Sequence, residues 1–361
     1  MKAKRVLAVM ITSLFLLYGC SDNEGSVEES GLASKASESK SSVIDQTYPQ
    51  AQAEVLETFG EIGQIITNGA GDGYDSPYMD QLISFHAYGP KFTEFNDGKL
   101  YDSAGNEINE RTLFGDIVDP GGVKQFAAVP GTLKVAVYFG NVANLTFISD
   151  FILQIDGVDY TFNNLITLLF IKTKGEWKMV HEHHSAADNE DSFAKSGLAS
   201  KDFLSKSASG YKSSVTDQTY PQAQAEVLAT FGEIGQIITD GAGQGYDSSY
   251  MDQLISFHAY GPKFTEFNDG KLFDSAGNEE NERSLFGETV DIGGVKQFAA
   301  VDGTLKVAVY FGNAANVTFI SDFILQIDGI EYTVNNLITL LFVKTKGEWK
   351  MVHEHHSPAT L

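Results

Sequence analysis

The chain is one domain written twice. Residues 43–185 align without a gap to residues 215–357 at a constant offset of 172, and only 18 of the 143 positions differ. Most changes are mild, among them Tyr101/Phe273, Thr112/Ser284, Val158/Ile330 and Asp159/Glu331. A unit of this length is a whole domain rather than a solenoid repeat. The hexapeptide Ser30–Lys35 recurs as Ser196–Lys201, so part of the segment ahead of the first copy was duplicated with it.

Composition excludes several classes. Of 361 residues 42% are hydrophobic, too many for a disordered chain. A single Cys rules out an intramolecular disulfide framework and any Cys-rich zinc or iron–sulfur site. The net charge of −23 argues against nucleic acid as a partner, because binding it needs clustered cations.

The lone Cys has a particular address. Lys2, Lys4 and Arg5 precede an apolar run from Val6 to Leu17, too short to span a bilayer comfortably. Leu17-Tyr18-Gly19-Cys20-Ser21 follows and resembles the lipobox of bacterial lipoproteins. That resemblance implies cleavage before Cys20, a lipid on its thiol and anchoring in the cell envelope. Ser21 implies an outer-membrane position facing the periplasm. The alternative is an ordinary secretory signal with an incidental Cys. The chain thus divides into a signal peptide over 1–19, a flexible tether over 20–42, domain 1 over 43–187, a linker over 188–214 and domain 2 over 215–358.

Within one copy, Ala51, Val55, Phe59, Ile62 and Ile66 recur at helical spacing over Thr47–Ile66. A Gly-rich break over Gly69–Gly73 ends that helix. Ser76-Pro77 then reads as an N-cap with Pro at the first helical position. A short strand around Phe92–Phe95 turns at Asn96-Asp97-Gly98, and a third helix is expected over Gly121–Val129. Four β-rich runs follow, Leu133–Phe139, Leu145–Ile155, Asn163–Lys172 and Trp177–His183. Helices first and a meander last predict an α+β domain, with helices on one face of the sheet.

The ending Gly175-Glu176-Trp177-Lys178-Met179-Val180-His181-Glu182-His183-His184-Ser185 resembles that of SnoaL-like domains. Phe85-His86-Ala87-Tyr88-Gly89-Pro90-Lys91-Phe92 resembles the exit of their second helix. These belong to the nuclear-transport-factor-2-like superfamily, which also holds ketosteroid isomerases and the association domain of calcium/calmodulin-dependent kinase II. The resemblance implies two tandem cone-shaped α+β-barrel domains, each with N-terminal helices packed on a curved antiparallel sheet. A pocket is expected at the open end of each cone. It does not decide the activity.

Several side chains could carry chemistry. All eight histidines lie in the copies. Strict alternation along the last strand puts His181 and His183 on one face with Trp177, Met179 and Ser185. Together with His86 they could ligate a metal, or they could bond to neighbouring strands and the second helix. No metal or other cofactor is assigned. Asp150, repeated as Asp322, lies in an apolar strand, where a carboxyl in a cavity would be a general acid or base. The alternatives are that it faces solvent or pairs with Lys134. His86 and Tyr88, with His258 and Tyr260, complete a candidate catalytic set. Tyr138, His181 and His183, with Tyr310, His353 and His355, are candidate pocket residues. Arg111 either orients an acidic group or pairs with Glu107 or Glu110. The acidic Gly-rich loop Asn68–Asp75 has the wrong spacing for calcium.

Three functions stay open: a lipid-anchored binder of a small, largely apolar ligand; an isomerase-, cyclase- or hydratase-type acid–base enzyme; and an assembly module. In the last, the two domains pair with each other or the chain homodimerises.

Overall fold

The computed structural model describes residues 43–187 and 218–360. Cys20, the signal peptide, the tether and the 188–214 linker lie outside the described residues. Among those described, no helix is long and apolar enough to cross a membrane.

Helix α1, Pro49–Gly69, lays Ala51, Val55, Ile62 and Ile66 on the sheet, with Pro49 in its first turn. Helix α2, Pro77–Ser84, starts at Ser76, whose hydroxyl accepts from the Met79 amide at 3.3 Å. Strands β1, Thr93–Asn96, and β2, Lys99–Tyr101, form a hairpin. Asp97 at its tip takes a positive φ beside Gly98, the left-handed backbone that such a turn requires.

The next segment departs from expectation. Residues 103–117 are helical: α3, Ser103–Glu110, is capped by the Asp102 carboxylate and continues into a π-helical stretch over Arg111–Ile117. The helix expected over Gly121–Val129 is instead β3, Val123–Ala128. Phe126 and the two alanines after it pair with the long strand β5, and that sheet contact overrides their neutral local preference.

Strands β4 (Lys134–Tyr138), β5 (Val142–Ile155), β6 (Val158–Phe162), β7 (Asn164–Thr173) and β8 (Glu176–Ala186) complete the copy. The β6 strand, a hairpin return on β5, is not among the four expected β-rich runs. Path order is β2-β1-β8-β7-β5-β3, with β4 and β6 also on β5. All pairs are antiparallel except β1–β8, which is parallel. The first half of β5 pairs with β4 and β7, its second half with β3 and β6, so one strand carries the sheet around the cone.

The second copy repeats this: α4 (Pro221–Gly241), α5 (Ser249–Ser256), α6 (Ser275–Glu282) and strands β9 (Thr265–Asn268) through β16 (Glu348–Pro358). The protein is thus an α+β fold of two tandem cones, each with its own core. A third apolar cluster joins them. It takes Ala136, Tyr138, Val142, Leu169, Ile171 and Val180 from the first copy and their equivalents from the second. The copies are packed sheet to sheet.

The Gly-rich loop has a packing role. The Gly71 and Gly73 amides donate to the Phe114 and Gly115 carbonyls at 2.8 and 2.9 Å. Gly71 has φ +77°, and a Cβ there would lie 2.3 Å from the Pro120 nitrogen. Only glycine fits so close to the backbone.

Candidate functional site

A one-residue slip in β8 decides where its histidines go. Leu169 faces His181 but the next residue, Phe170, faces Met179, so Val180 is a bulge. Trp177 and Met179 point into the cone core, and Val180 points into the joint between the copies. After the bulge the phase is reversed: His181, His183 and Ser185 face the other copy, while Glu182 and His184 face inward. The expected common face of His181 and His183 with Trp177 and Met179 is corrected accordingly. The three proposed metal ligands do not converge, because His86 lies inside the cone. Among the described residues, no group of three His, Asp or Glu is arranged to hold a metal ion.

The inward residues build a buried cluster. Glu182 Oε1 is 3.0 Å from His86 Nε2, and its Oε2 is 3.3 Å from His184 Nε2. Asn106 Nδ2 donates to Glu182 at 3.0 Å and to Glu94 at 2.9 Å. Its oxygen accepts from the Tyr88 hydroxyl. The His86 and Tyr88 rings stack at 5.0 Å. His86 comes from the end of α2, Glu94 from β1, and Asn106 and Glu110 from α3.

These groups set one another's charge. Burial pushes Glu182 up, but its bonds to His184 and His86 outweigh this and hold it well below the usual carboxylate range. Burial pushes His86 and His184 down, and the same Glu182 bonds reverse that and hold both above the ordinary imidazole value. Burial and the Glu182 charge push Glu94 up. The same two causes push Glu110, which is half-buried, well up. The cluster is a carboxylate held low between two imidazoles, with two further carboxyl groups beside it that burial pushes up. Chemically it is a set of coupled titratable groups in one buried place, the arrangement that general acid–base work requires. The second copy repeats it with His258, Tyr260, Glu266, Asn278, Glu282, Glu354 and His356.

The outward residues build the seam. His181 Nε2 and His183 Nδ1 both lie 2.9 Å from the Thr339 hydroxyl, and His183 Nε2 lies 2.8 Å from Ser357. Thr167 and Ser185 meet His353 and His355 in the reciprocal way, at 2.8–2.9 Å. The His183 and His355 rings stack at 3.6 Å, 8° from parallel. Lysines cross the seam too. Lys91 donates to the Val309 and Gln218 carbonyls and Lys263 to those of Val137 and Gln46.

A family model described as a SnoaL-like domain matches residues 57–189 and again residues 236–360. The chain belongs to the SnoaL-like domain family. No curated protein matches it. Solved structures similar to it include a nuclear transport factor 2-like protein from Salmonella enterica serovar Typhimurium. That chain is 17% identical, and the match covers 39% of this chain and 94% of that one, with a TM-score of 0.32. Another is the association domain of the C. elegans calcium/calmodulin-dependent kinase II, at 16% identity, 38% and 96% coverage and a TM-score of 0.30.

Each SnoaL-like copy brings together His86 and Tyr88 but leaves out Asp150. That residue alternates with Phe147, Phe151 and Leu153, which face the core, so it points to the opposite side of β5. Lys134, its other expected partner, donates to the Phe264 carbonyl across the seam instead. In the second SnoaL-like copy, Asp322 accepts from Gln297. Tyr138 and Tyr310 lie in the seam cluster with His181, His183, His353 and His355, so the six expected pocket residues are interface residues. Arg111 pairs with Glu107 at 3.0 Å and Asp80 at 2.8 Å, tying the π-helical stretch to α2.

Sequence reasoning missed Glu94, Asn106, Glu110, Glu182 and His184. Glu94 does leave a trace, as a lone acid in the apolar stretch Phe92-Thr93-Glu94-Phe95.

At the other end of the sheet, Phe126 of β3 stacks on Phe151 of β5 at 4.1 Å and 9°. Phe162 lies opposite Phe151 and Tyr160 opposite Leu153 across the β5–β6 pair, and Phe59, 5.1 Å from Phe147, packs on the same core; all three are only partly buried.

Proposed function

We propose that this chain is a lipid-anchored protein of the bacterial envelope, held by Cys20 and facing the periplasm from the outer membrane. Its paired SnoaL-like cones each take a small, largely apolar ligand. The observation that carries the ligand reading is the partly exposed aromatic cluster of Phe59, Phe126, Phe151, Tyr160 and Phe162, the place where an apolar molecule gains most by leaving water. The second copy repeats the stack as Phe298–Phe323, with Val334 in place of Phe162.

The test is titration with N-phenyl-1-naphthylamine, a neutral aromatic probe. Saturable binding that is weakened by Phe126→Ala with Phe298→Ala supports the reading; unsaturable or absent binding removes it. For the anchor, Cys20→Ser should release the protein from membranes, and retention of that variant would count against a lipid.

A second reading, an acid–base enzyme, is favoured by one observation. Each cone holds carboxyl groups that burial pushes up beside two imidazoles, with half-buried Glu110 at the end of α3. Loss of turnover in Glu110→Gln with Glu282→Gln, on any substrate found for the chain, is the measurement that would move it ahead.

A further inference from the structure

We propose that the seam between the two copies is an acid-opened joint: it is closed while His183 and His355 are neutral, and protonation parts the copies while each cone stays folded. The geometry carries this. The two rings lie face to face at 3.6 Å, so charging both places two cations in contact with no water between them. All four seam imidazoles are fully buried, and their ring nitrogens contact only hydroxyls and, at Thr93 and Thr265, backbone carbonyls.

Glu182 and Glu354 favour charge on His181 and His353, but the charged neighbours do not relieve the repulsion between His183 and His355. The carboxylates nearest in sequence, Glu182 and Glu354, point into the cones and are occupied there by His86, His184, His258 and His356. His184 and His356 add positive charge behind the seam rings, and Lys134 adds it near His353. Lys91 and Lys263 already bring two ammonium groups to the seam, over the Tyr310 and Tyr138 rings. Burial accordingly holds His181 and His353 down to about 3, and His183 and His355 well below the ordinary imidazole value.

The sign follows from linkage. Each seam imidazole binds its proton more weakly closed than open. Its contribution to closure is complete above about pH 6.5 and is lost as pH falls toward the closed value. Between pH 8 and pH 5 the opening equilibrium gains about 30-fold per imidazole freed. Opening would also loosen the entry to the first copy. Ile44 is buried in the seam cluster, and Lys263 of the second copy holds the Gln46 carbonyl at 2.6 Å.

The experiment uses the chain from residue 20 with Cys20→Ser, followed by small-angle scattering from pH 8 to pH 4.5. Emission from Trp177 and Trp349, one inside each core, is read in parallel. The radius of gyration should rise below about pH 6 with the tryptophan signal unchanged. The variant His183→Gln with His355→Gln, which keeps donors and acceptors but removes the stacked pair of charges and leaves only His181 and His353 to titrate, should open about 1,000-fold less than the wild type at pH 5. A wild-type radius constant to pH 4.5 overturns the proposal. So does opening that coincides with loss of the tryptophan signal, or a Gln variant that opens at the wild-type pH. Should the variant not fold, proton NMR of the wild-type imidazoles decides. The seam rings should take up protons only as the radius rises, and titration within the closed pair would exclude the joint.

Discussion

His86 and Glu182 meet at 3.0 Å inside the first cone, one from the end of α2 and the other from β8, 96 residues later. That contact ties the helical layer to the last strand. Since Glu182 also holds His184 and Asn106, one carboxylate joins α2, α3 and β8. Glu182→Gln removes the charge while keeping the shape, leaving two buried imidazoles without a counter-ion. The expected loss is about 3–5 kcal/mol of stability for that copy, read as a lowered urea midpoint of Trp177 fluorescence. A loss below about 1 kcal/mol would mean that the cluster does not hold the cone together.

The cluster also predicts how each cone responds to pH. His86, His184, Glu94 and Glu110 all have folded values above their ordinary ones, so the folded state binds more protons than the unfolded. Their contribution is present in mild acid and is lost as pH rises through the folded values. Glu182 has the opposite sign and matters only below its ordinary carboxylate value. The urea midpoint of the tryptophan signal should therefore be higher near pH 5.5 than near pH 8.5. A midpoint that rises with pH across this range would contradict the assignment. Acid thus tightens the cones over the range in which it loosens the seam.

Tyr138 has a hydroxyl that is fully buried and makes no hydrogen bond, and Tyr310 repeats it. Burial pushes both phenols up. Tyr138→Phe with Tyr310→Phe removes two stranded polar groups at almost constant volume. The pair should gain about 1 kcal/mol per site, seen as a higher thermal midpoint at pH 7.5. Destabilisation by both changes would show that the hydroxyls are bonded in solution.

How much of this was legible in the sequence differs from element to element. The Ala51–Ile66 spacing and the Ser76-Pro77 start were readable because helix period and capping are local. The 121–129 segment was misread because a strand with weak local preference is made by its partner, here β5. The histidine faces were misread for one reason. Alternation is a reliable rule until a bulge reverses it, and Val180 carries no sequence mark of being one. The cluster stayed hidden with them, because Glu182 and His184 turn inward only after that bulge. Pairing of the copies was open as one of three roles, but the seam chemistry needed both sheets in place.

The copies differ at one aromatic position that matters for the proposed ligands. Phe162 lies opposite Phe151 across the β5–β6 pair, and Val334 takes its place opposite Phe323. A ring has been exchanged for an isopropyl group beside an otherwise repeated phenylalanine stack. Two consequences follow for a bound apolar molecule. The second copy has more room, and the first offers more aromatic surface to a small ring. N-phenyl-1-naphthylamine should therefore bind the two copies with unequal affinity, giving a biphasic titration. Val334→Phe should make the sites equivalent, and Phe162→Val should do the same from the other side. A single-phase wild-type titration, or two phases that survive both substitutions, would show that this position does not shape the site.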